Sequence, residues 1–318
     1  MKKWLIVFLC MLVLGWLAIT LFIPGKLLVI ETLPVNASPN GVSRFLSDES
    51  KSPSWWLDSS HSGMPAKPKS GLNLSHNGYN YRLIENLYRA INIELNKDDR
   101  SFVARLSVLP MDNYGSALKW QCELNPGWNP LIRIRDYQTA IDIKQEFHSV
   151  LMTLQSILSK PENIYDVPIV QTRVTDTVLI ATKIISKSHP TVEQVYELIG
   201  QLRDYIRKEN ARETGYPMLH SWMKDADHVE TMVAIPTDRR LRENSRFFLR
   251  LMIPGNILVS EVKGGHAAIQ NATGALENYI SDYQKIKMAI PFESLITERE
   301  SEPDTAHWVT RVYFPIMR

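Results

Sequence analysis

An arginine interrupts an apolar run near the end of the chain. Residues 309–315 read Val-Thr-Arg-Val-Tyr-Phe-Pro, the pattern of a strand. Side chains alternate along a strand, so Arg311 and Tyr313 share one face, and Thr310, Val312 and Phe314 the other. A guanidinium is charged at every physiological pH and grips a carboxylate, phosphate or sulfate with two parallel bonds. Buried and unpaired it is very costly, so a partner is required. Glu293, on the neighbouring predicted strand, is the expected internal partner, with Glu298 second. The other candidate partner is an anionic ligand. The roles overlap, because a paired arginine still presents one edge.

Tyr196, Tyr216, Trp222, Trp308 and Tyr313 are candidate walls for such a ligand, and Trp120 is a candidate wall of a separate apolar cavity. Aromatics at regular spacing are more often core. Glu293, Tyr313 and His220 together would give a pocket capable of acid–base work. No GxSxG elbow, HExxH, P-loop or GxGxxG context is present. The two cysteines, Cys10 and Cys122, cannot form a disulfide framework, and no Cys/His spacing fits zinc. No metal or cofactor is expected.

The elements that must position these residues fall into two predicted domains. In the first, residues 27–35 read as a strand. A helix follows from Ser38–Pro39 to about Leu46, then a Ser/Pro/Gly-rich loop containing Trp55 and Trp56. INIELN, SFVARLSVLP and SALKWQCEL are strands of an antiparallel sheet. A long helix is predicted from about Tyr137 to Leu158, with Ile143, Phe147, Val150, Leu151, Leu154, Ile157 and Leu158 at helical spacing. Arg133 and Arg135 precede it and are expected to meet acidic loop residues such as Asp48 or Glu49. Residues 159–168 read as a linker.

The second domain repeats itself. TVLIATKII, a helix over PTVEQVYELIGQLRDYIRKEN, then YPMLHSWM and HVETMVAIP form one half. NILVSEVKGG, a helix over HAAIQNATGALENYISDY, then IPFESLITE and WVTRVYFP form the other. Pro217 matches Pro291, and Pro236 matches Pro315, which sets Met232 opposite Arg311 and Ala234 opposite Tyr313. Thr191 and Gln194 form a capping box for the first helix. Two βαββ units can pair into one sheet backed by two helices, leaving an open face as a groove. Half of its floor is expected to be apolar and half cationic.

At 318 residues, with 44% apolar and 22% charged residues, the chain can bury two cores. Its 36 basic and 34 acidic residues give +2, which offers no electrostatic case for nucleic acid. Trp4 to Ile23 is a run of 20 residues without a charge, preceded by Lys2 and Lys3. That length spans a bilayer as a helix, and the flanking lysines place the N-terminus in the cytoplasm. The reading is an uncleaved single-pass anchor in a bacterial inner membrane, with the rest of the chain in the periplasm; the alternative is a cleaved signal peptide, for which the run is long and no small-x-small site precedes Pro24.

Residues 165–318 resemble the GyrI-like, or bacterial effector-binding, domain. The resemblance rests on the doubled βαββ order, YELIGQLRDYI, GYPMLHSW, VAIP, the step at Lys263–Gly265, IPFESLI and WVTRVYFPI. It implies a small-molecule receptor fold. That family commonly carries Thr-Glu where this chain has Thr310-Arg311, its glutamate meeting cationic ligands, so the preference implied here reverses toward anions. Residues 27–158 resemble the SRPBCC, or START-like helix-grip, family through LLVIETLPVNAS, SPNGVSRFLSD, SPSWWLDSS and the closing helix. That resemblance implies a sheet curled around the last helix with an apolar cavity.

The expected fold class is α+β: a transmembrane helix (1–26), a helix-grip START-like domain (27–158), a linker (159–168) and a duplicated βαββ GyrI-like domain (169–318). The expected function is binding of a small or lipid-like molecule, with Arg311, Tyr313, Met232, Glu293, Tyr196, Trp222 and Trp120 as candidate ligand contacts. The alternative is a hydrolase or cyclase in one of the two pockets. No nucleic-acid partner is expected, and no protein partner is assigned.

Overall fold

A computed structural model describes residues 2–48, 50–51, 73–98, 100–175 and 177–317. Trp55, Trp56 and Glu49 lie outside the described residues. The chain divides into two compact units, Met1–Lys160 and Pro161–Arg318. Each carries an antiparallel sheet, so the fold is mixed α+β.

The first unit begins with helix α1 (Lys2–Phe22). Its described apolar side chains, from Trp4 to Phe22, are largely exposed. Among the described residues no helix is both long and apolar enough to cross a membrane.

Strand β1 (Leu27–Val35) follows, then helix α2 (Pro39–Ser47). Ser38 caps α2 by accepting from the Gly41 N–H at 3.0 Å, and Pro39 occupies its first turn. Strands β2 (Asn73–His76), β3 (Tyr79–Leu87), β4 (Ala90–Lys97), β5 (Arg100–Pro110) and β6 (Ser116–Leu124) complete a sheet of order β1-β6-β5-β4-β3-β2. Asn77 and Gly78, both at positive φ, form the two-residue turn between β2 and β3. Helix α3 (Pro130–Leu158) packs across β1 and β6.

Helix α3 starts earlier than its apolar spacing predicts. The Asn129 side chain accepts from the Leu131 N–H at 3.0 Å, and Pro130 fits the first turn. Arg133 and Arg135 therefore lie on the helix rather than before it. Arg133 donates to backbone carbonyls and Arg135 pairs with Asp136, so neither pairs with Asp48, the described member of the predicted acidic loop.

Trp120 is fully buried and stacks on Phe147 at 4.3 Å, so it packs the sheet against α3. Cys122 is buried, and burial pushes its thiol up to about 11.

The predicted linker is only partly a linker. The boundary falls inside it, but Pro161–Tyr165 forms a short helix, α4, of the second unit. Tyr165 donates to Asp282 at 2.8 Å in a buried place. Its apolar Ile164 and Tyr165 pack inward, which the polar residues around them conceal in the sequence.

The rest of the second unit is strand β7 (Val170–Arg173), β8 (Val178–Ser186), helix α5 (Val192–Lys208), β9 (Met218–Met223), β10 (Val229–Pro236) and β11 (Phe248–Leu251). Then come β12 (Asn256–Lys263), helix α6 (His266–Asp282), β13 (Ile286–Lys287), β14 (Phe292–Leu295) and β15 (Val309–Met317). The order β11-β8-β10-β9-β14-β15-β12-β7 contains the repeat as two mirrored triplets, β8-β10-β9 and β14-β15-β12. Both halves of the capping box at Thr191 and Gln194 form. Gly264, at φ +133°, makes the step from β12 into α6, and a Cβ there would press on Ala268 at 3.0 Å.

Both helices cover one face of this sheet. Val195, Ile199, Leu202 and Ile206 of α5 pack on Ile180, Val233, Ile235 and Leu295. Ile269, Ala272, Leu276 and Ile280 are the buried stripe of α6, which lies over β12 and β15. Among the described residues of the second unit, no helix packs on the opposite face.

In the first unit, Phe147→Ala removes a fully buried ring, and with it the stacking contact to Trp120, from the centre of the core. A loss of about 3–5 kcal/mol is expected for such a cavity. Urea denaturation of the full chain checks this; a loss below about 1 kcal/mol would contradict this packing role for α3.

Candidate functional site

The uncovered face of the second sheet is set by register. β9 pairs with β14 through Glu293 opposite Leu219 and Ser294 opposite Met218. Ser294 lies opposite Arg311, and Phe292 opposite Tyr313. His220 lies opposite Met232, and Met218 opposite Ala234. The alternate set, including Leu219, Glu293, Thr310 and Val312, faces the helices. Met218, His220, Met232, Ala234, Phe292, Ser294, Arg311 and Tyr313 therefore form one surface.

Two adjoining cavities lie on that surface. The larger, about 530 Å³, is lined by Met232, Ala234, Leu251, Ile253, Ile290 and their apolar neighbours, with Arg250 and His220 as its ionisable groups. Met218, Met232, Met252, Met288 and Met317 all reach it. Methionine side chains are polarizable and change rotamer easily, so such a wall adapts to differently shaped ligands. The smaller cavity, about 350 Å³, is lined by Arg173, Thr175, Thr214, Tyr216, Arg311 and Tyr313 among others. Val174, Met218, Met252 and Phe292 line both. An apolar chamber and a cationic compartment thus share a wall.

Arg311 is half-exposed and paired. Its Nε donates to Glu261 Oε2 at 2.7 Å, across the β12–β15 ladder. That bond raises the pKa of the guanidinium further. Neither expected partner serves. Glu293 is opposite Val312 in the ladder, so alternation sends its carboxylate to the helix face. Its nearest cation is Arg299, at 3.7 Å. Glu298 pairs with Arg203 at 3.1 Å. A half-exposed ion pair contributes little to stability, and Arg311, so paired, still lines the compartment.

The structure brings some predicted residues together and separates others. Met232 lines the apolar chamber, and Arg311 and Tyr313 line the cationic compartment. Tyr196 is buried on the helix face; its hydroxyl donates to the Thr297 carbonyl at 3.2 Å and accepts from the Arg299 N–H at 2.7 Å. Trp222 stacks on His220 at 4.8 Å but is not among the lining residues of either cavity. Trp120 belongs to the first unit. The acid–base trio is split, because Glu293 is on one face of the sheet and His220 and Tyr313 are on the other. Burial lowers the pKa of His220, against a hydrogen bond with the Pro291 backbone.

Arg173, Tyr216 and the methionine wall escape a sequence reading. Arg173 ends an edge strand that pairs with β12, and only that pairing brings it near Arg311. A second polar cluster was also unforeseen. In the first unit the buried Glu146 carboxylate meets His76 Nδ1 at 2.5 Å and accepts from Asn77 at 2.9 Å and from Tyr81 at 2.5 Å. The Asn77-Gly78 turn was its one local sign.

No family model and no curated relative matches the chain. Among solved structures, the EcmrR C-terminal domain is 14% identical and aligns over 48% of this chain and 98% of its own, at a TM-score of 0.41. SAV2435, solved bound to tetraphenylphosphonium, is 15% identical over 47% of this chain and 93% of its own, at 0.32. A hydrolase from Listeria innocua is 9% identical over 46% and 91%, at 0.34.

Burial raises the Glu293 pKa, against the pull of Arg299 and His266. A raised carboxylate favours the protonated folded state. Its stabilisation is complete below the ordinary value of 4.5 and is lost as pH rises through the folded value. Glu293→Gln should remove that loss. Urea denaturation across this range is expected to show a stability difference, variant minus wild type, that grows with pH. A flat or falling difference would contradict the burial of Glu293.

Proposed function

We propose that this chain is a membrane-anchored receptor for a small amphipathic anion, held on the uncovered face of the second sheet. The ligand's apolar body lies in the methionine-walled chamber. Its anionic group lies in the compartment beside Arg311 and Arg173. The observation that carries this reading is the shared wall of Met218, Met252 and Phe292 between an apolar and a cationic space. Arginine favours carboxylate or phosphate, which it meets with paired donors. Tyr216 and Tyr313 supply hydroxyls at the same compartment.

The second unit is read as a GyrI-like domain, supported by its two mirrored triplets and by the motifs that mark them. The first is read as a START-like helix-grip domain, supported by a six-stranded antiparallel sheet crossed by a 29-residue helix. Helix α1 is read as the anchor, with its N-terminus in the cytoplasm and both units in the periplasm. The charge-free run behind Lys2 and Lys3 and the exposed apolar side chains of α1 support that placement. The separation of Glu293 from His220 and Tyr313 favours a receptor over a hydrolase or cyclase.

Calorimetric titration with dodecanoate and with dodecyltrimethylammonium tests the ligand class. Dodecanoate is expected to bind and the cation to bind more weakly. Arg311→Ala should weaken dodecanoate about tenfold or more, the loss of a charge-assisted bond. Met232→Trp, which fills the chamber, should weaken it with the fold intact. Preference for the cation, or unchanged affinity in folded Arg311→Ala, would overturn the reading.

A further inference from the structure

Helix α3 is inside-out over its first half. From Ile143 onward it buries an apolar stripe of Ile143, Phe147, Val150, Leu151, Leu154 and Leu158. Before Ile143 its buried residues are Arg133 and Asp136. Leu131, Ile134, Tyr137 and Ile141 are exposed instead, and so is Trp128 just ahead of the helix. Trp128 is 78% exposed and Leu131 76%. Spacings of three, three and four residues place the helical four on one stripe.

The buried charges have internal partners, so they explain the helix's orientation. Arg133 Nη1 donates to the carbonyls of Thr20 at 3.0 Å and Ile23 at 2.8 Å, and its Nε donates to the Gly127 carbonyl at 2.7 Å. Thr20 and Ile23 lie at the C-terminal end of α1, where orphan carbonyls and the helix dipole favour a cation. Asp136 accepts from Arg100 at 2.6 Å. Burying these two groups turns the apolar side chains outward. Arg133 also lies against the Trp128 ring, 5.7 Å from its centroid. One side chain therefore joins the end of α1 to the start of the exposed stripe.

We infer that Trp128, Leu131, Ile134, Tyr137 and Ile141 rest on the lipid surface beside the point where α1 leaves the bilayer. The inference rests on reading α1 as the anchor. The occupant is lipid rather than protein because the stripe adjoins the apolar surface of α1 through Arg133. Its residue types also fit, since Trp and Tyr prefer the headgroup region while Leu and Ile enter the acyl boundary. The first unit would then lie against the membrane at a fixed tilt instead of swinging on a tether.

The test uses the full chain carrying Cys10→Ala. Leu131→Cys is labelled with an environment-sensitive fluorophore, with Ile84→Cys on β3, also exposed, as the control. Each protein is reconstituted into vesicles of phosphatidylethanolamine and phosphatidylglycerol, with or without lipids bearing a shallow nitroxide. Flotation with the vesicles tests the anchor itself. The expected result is flotation, with the label at position 131 blue-shifted and quenched and the control unaffected. Flotation with a water-like, unquenched label at 131 would overturn the lipid contact and leave the anchor standing. A blue-shifted but unquenched label would assign the stripe to a protein occupant and also overturn it. Failure to float would remove the anchor and the contact together.

Discussion

Two residue pairs hold the repeats of the second unit in one sheet: Glu293 opposite Leu219, and Ser294 opposite Met218. Everything proposed for the site depends on that register. The side-chain period of a strand is two, so a slip of one residue would exchange the faces. One repeat would turn over against the other: Arg311 would face the helices and Glu293 would turn outward while Met218 kept its place, and the common surface would be lost. The apolar stripe of α5 prevents this, because Val233, Ile235 and Leu295 must face it. Core packing on one face thus fixes which residues the other face offers. The two repeats then diverge at equivalent positions, where Met232 of one corresponds to Arg311 of the other. That difference makes one side of the face apolar and the other cationic.

The first unit follows a different constraint. A charge that must be buried dictates how a helix turns. Arg133 serves the orphan carbonyls of Thr20 and Ile23, and Asp136 serves Arg100. With those contacts made, α3 presents apolar residues outward for its first turns and inward thereafter. The helix is amphipathic in both halves, with the apolar side switched between them. The same contacts bring the end of α1 and the start of α3 together, so the proposed anchor and the proposed lipid contact have one physical origin.

Much of this was legible in the sequence. The repeat, the capping box, the strands from residue 90 to 124 and the alternation around Arg311 all follow from local pattern and are present. The failures have specific causes. The adjacent strand suggests Glu293 as the partner of Arg311, but adjacency does not give parity, and only the register shows the two on opposite faces. Apolar spacing starts helix α3 too late, because its first turns bury Arg133 and Asp136 instead of apolar side chains. Tyr165 was assigned to a linker because its partner, Asp282, is 117 residues away. Arg173 and Glu146 gain their neighbours only through strand pairing or turn geometry. Trp120, a candidate cavity wall, is buried and stacked on Phe147, a partner 27 positions along the chain that no local pattern shows.

Photoaffinity labelling of the full chain with a diazirine-bearing fatty acid, followed by peptide mapping, tests the central claim most directly. The uncovered face requires crosslinks on the wall shared by the two cavities, at Met218, Met252 or Phe292, competed by dodecanoate. Crosslinks confined to the helix face around Tyr196, or to the first unit around Trp120, would contradict it.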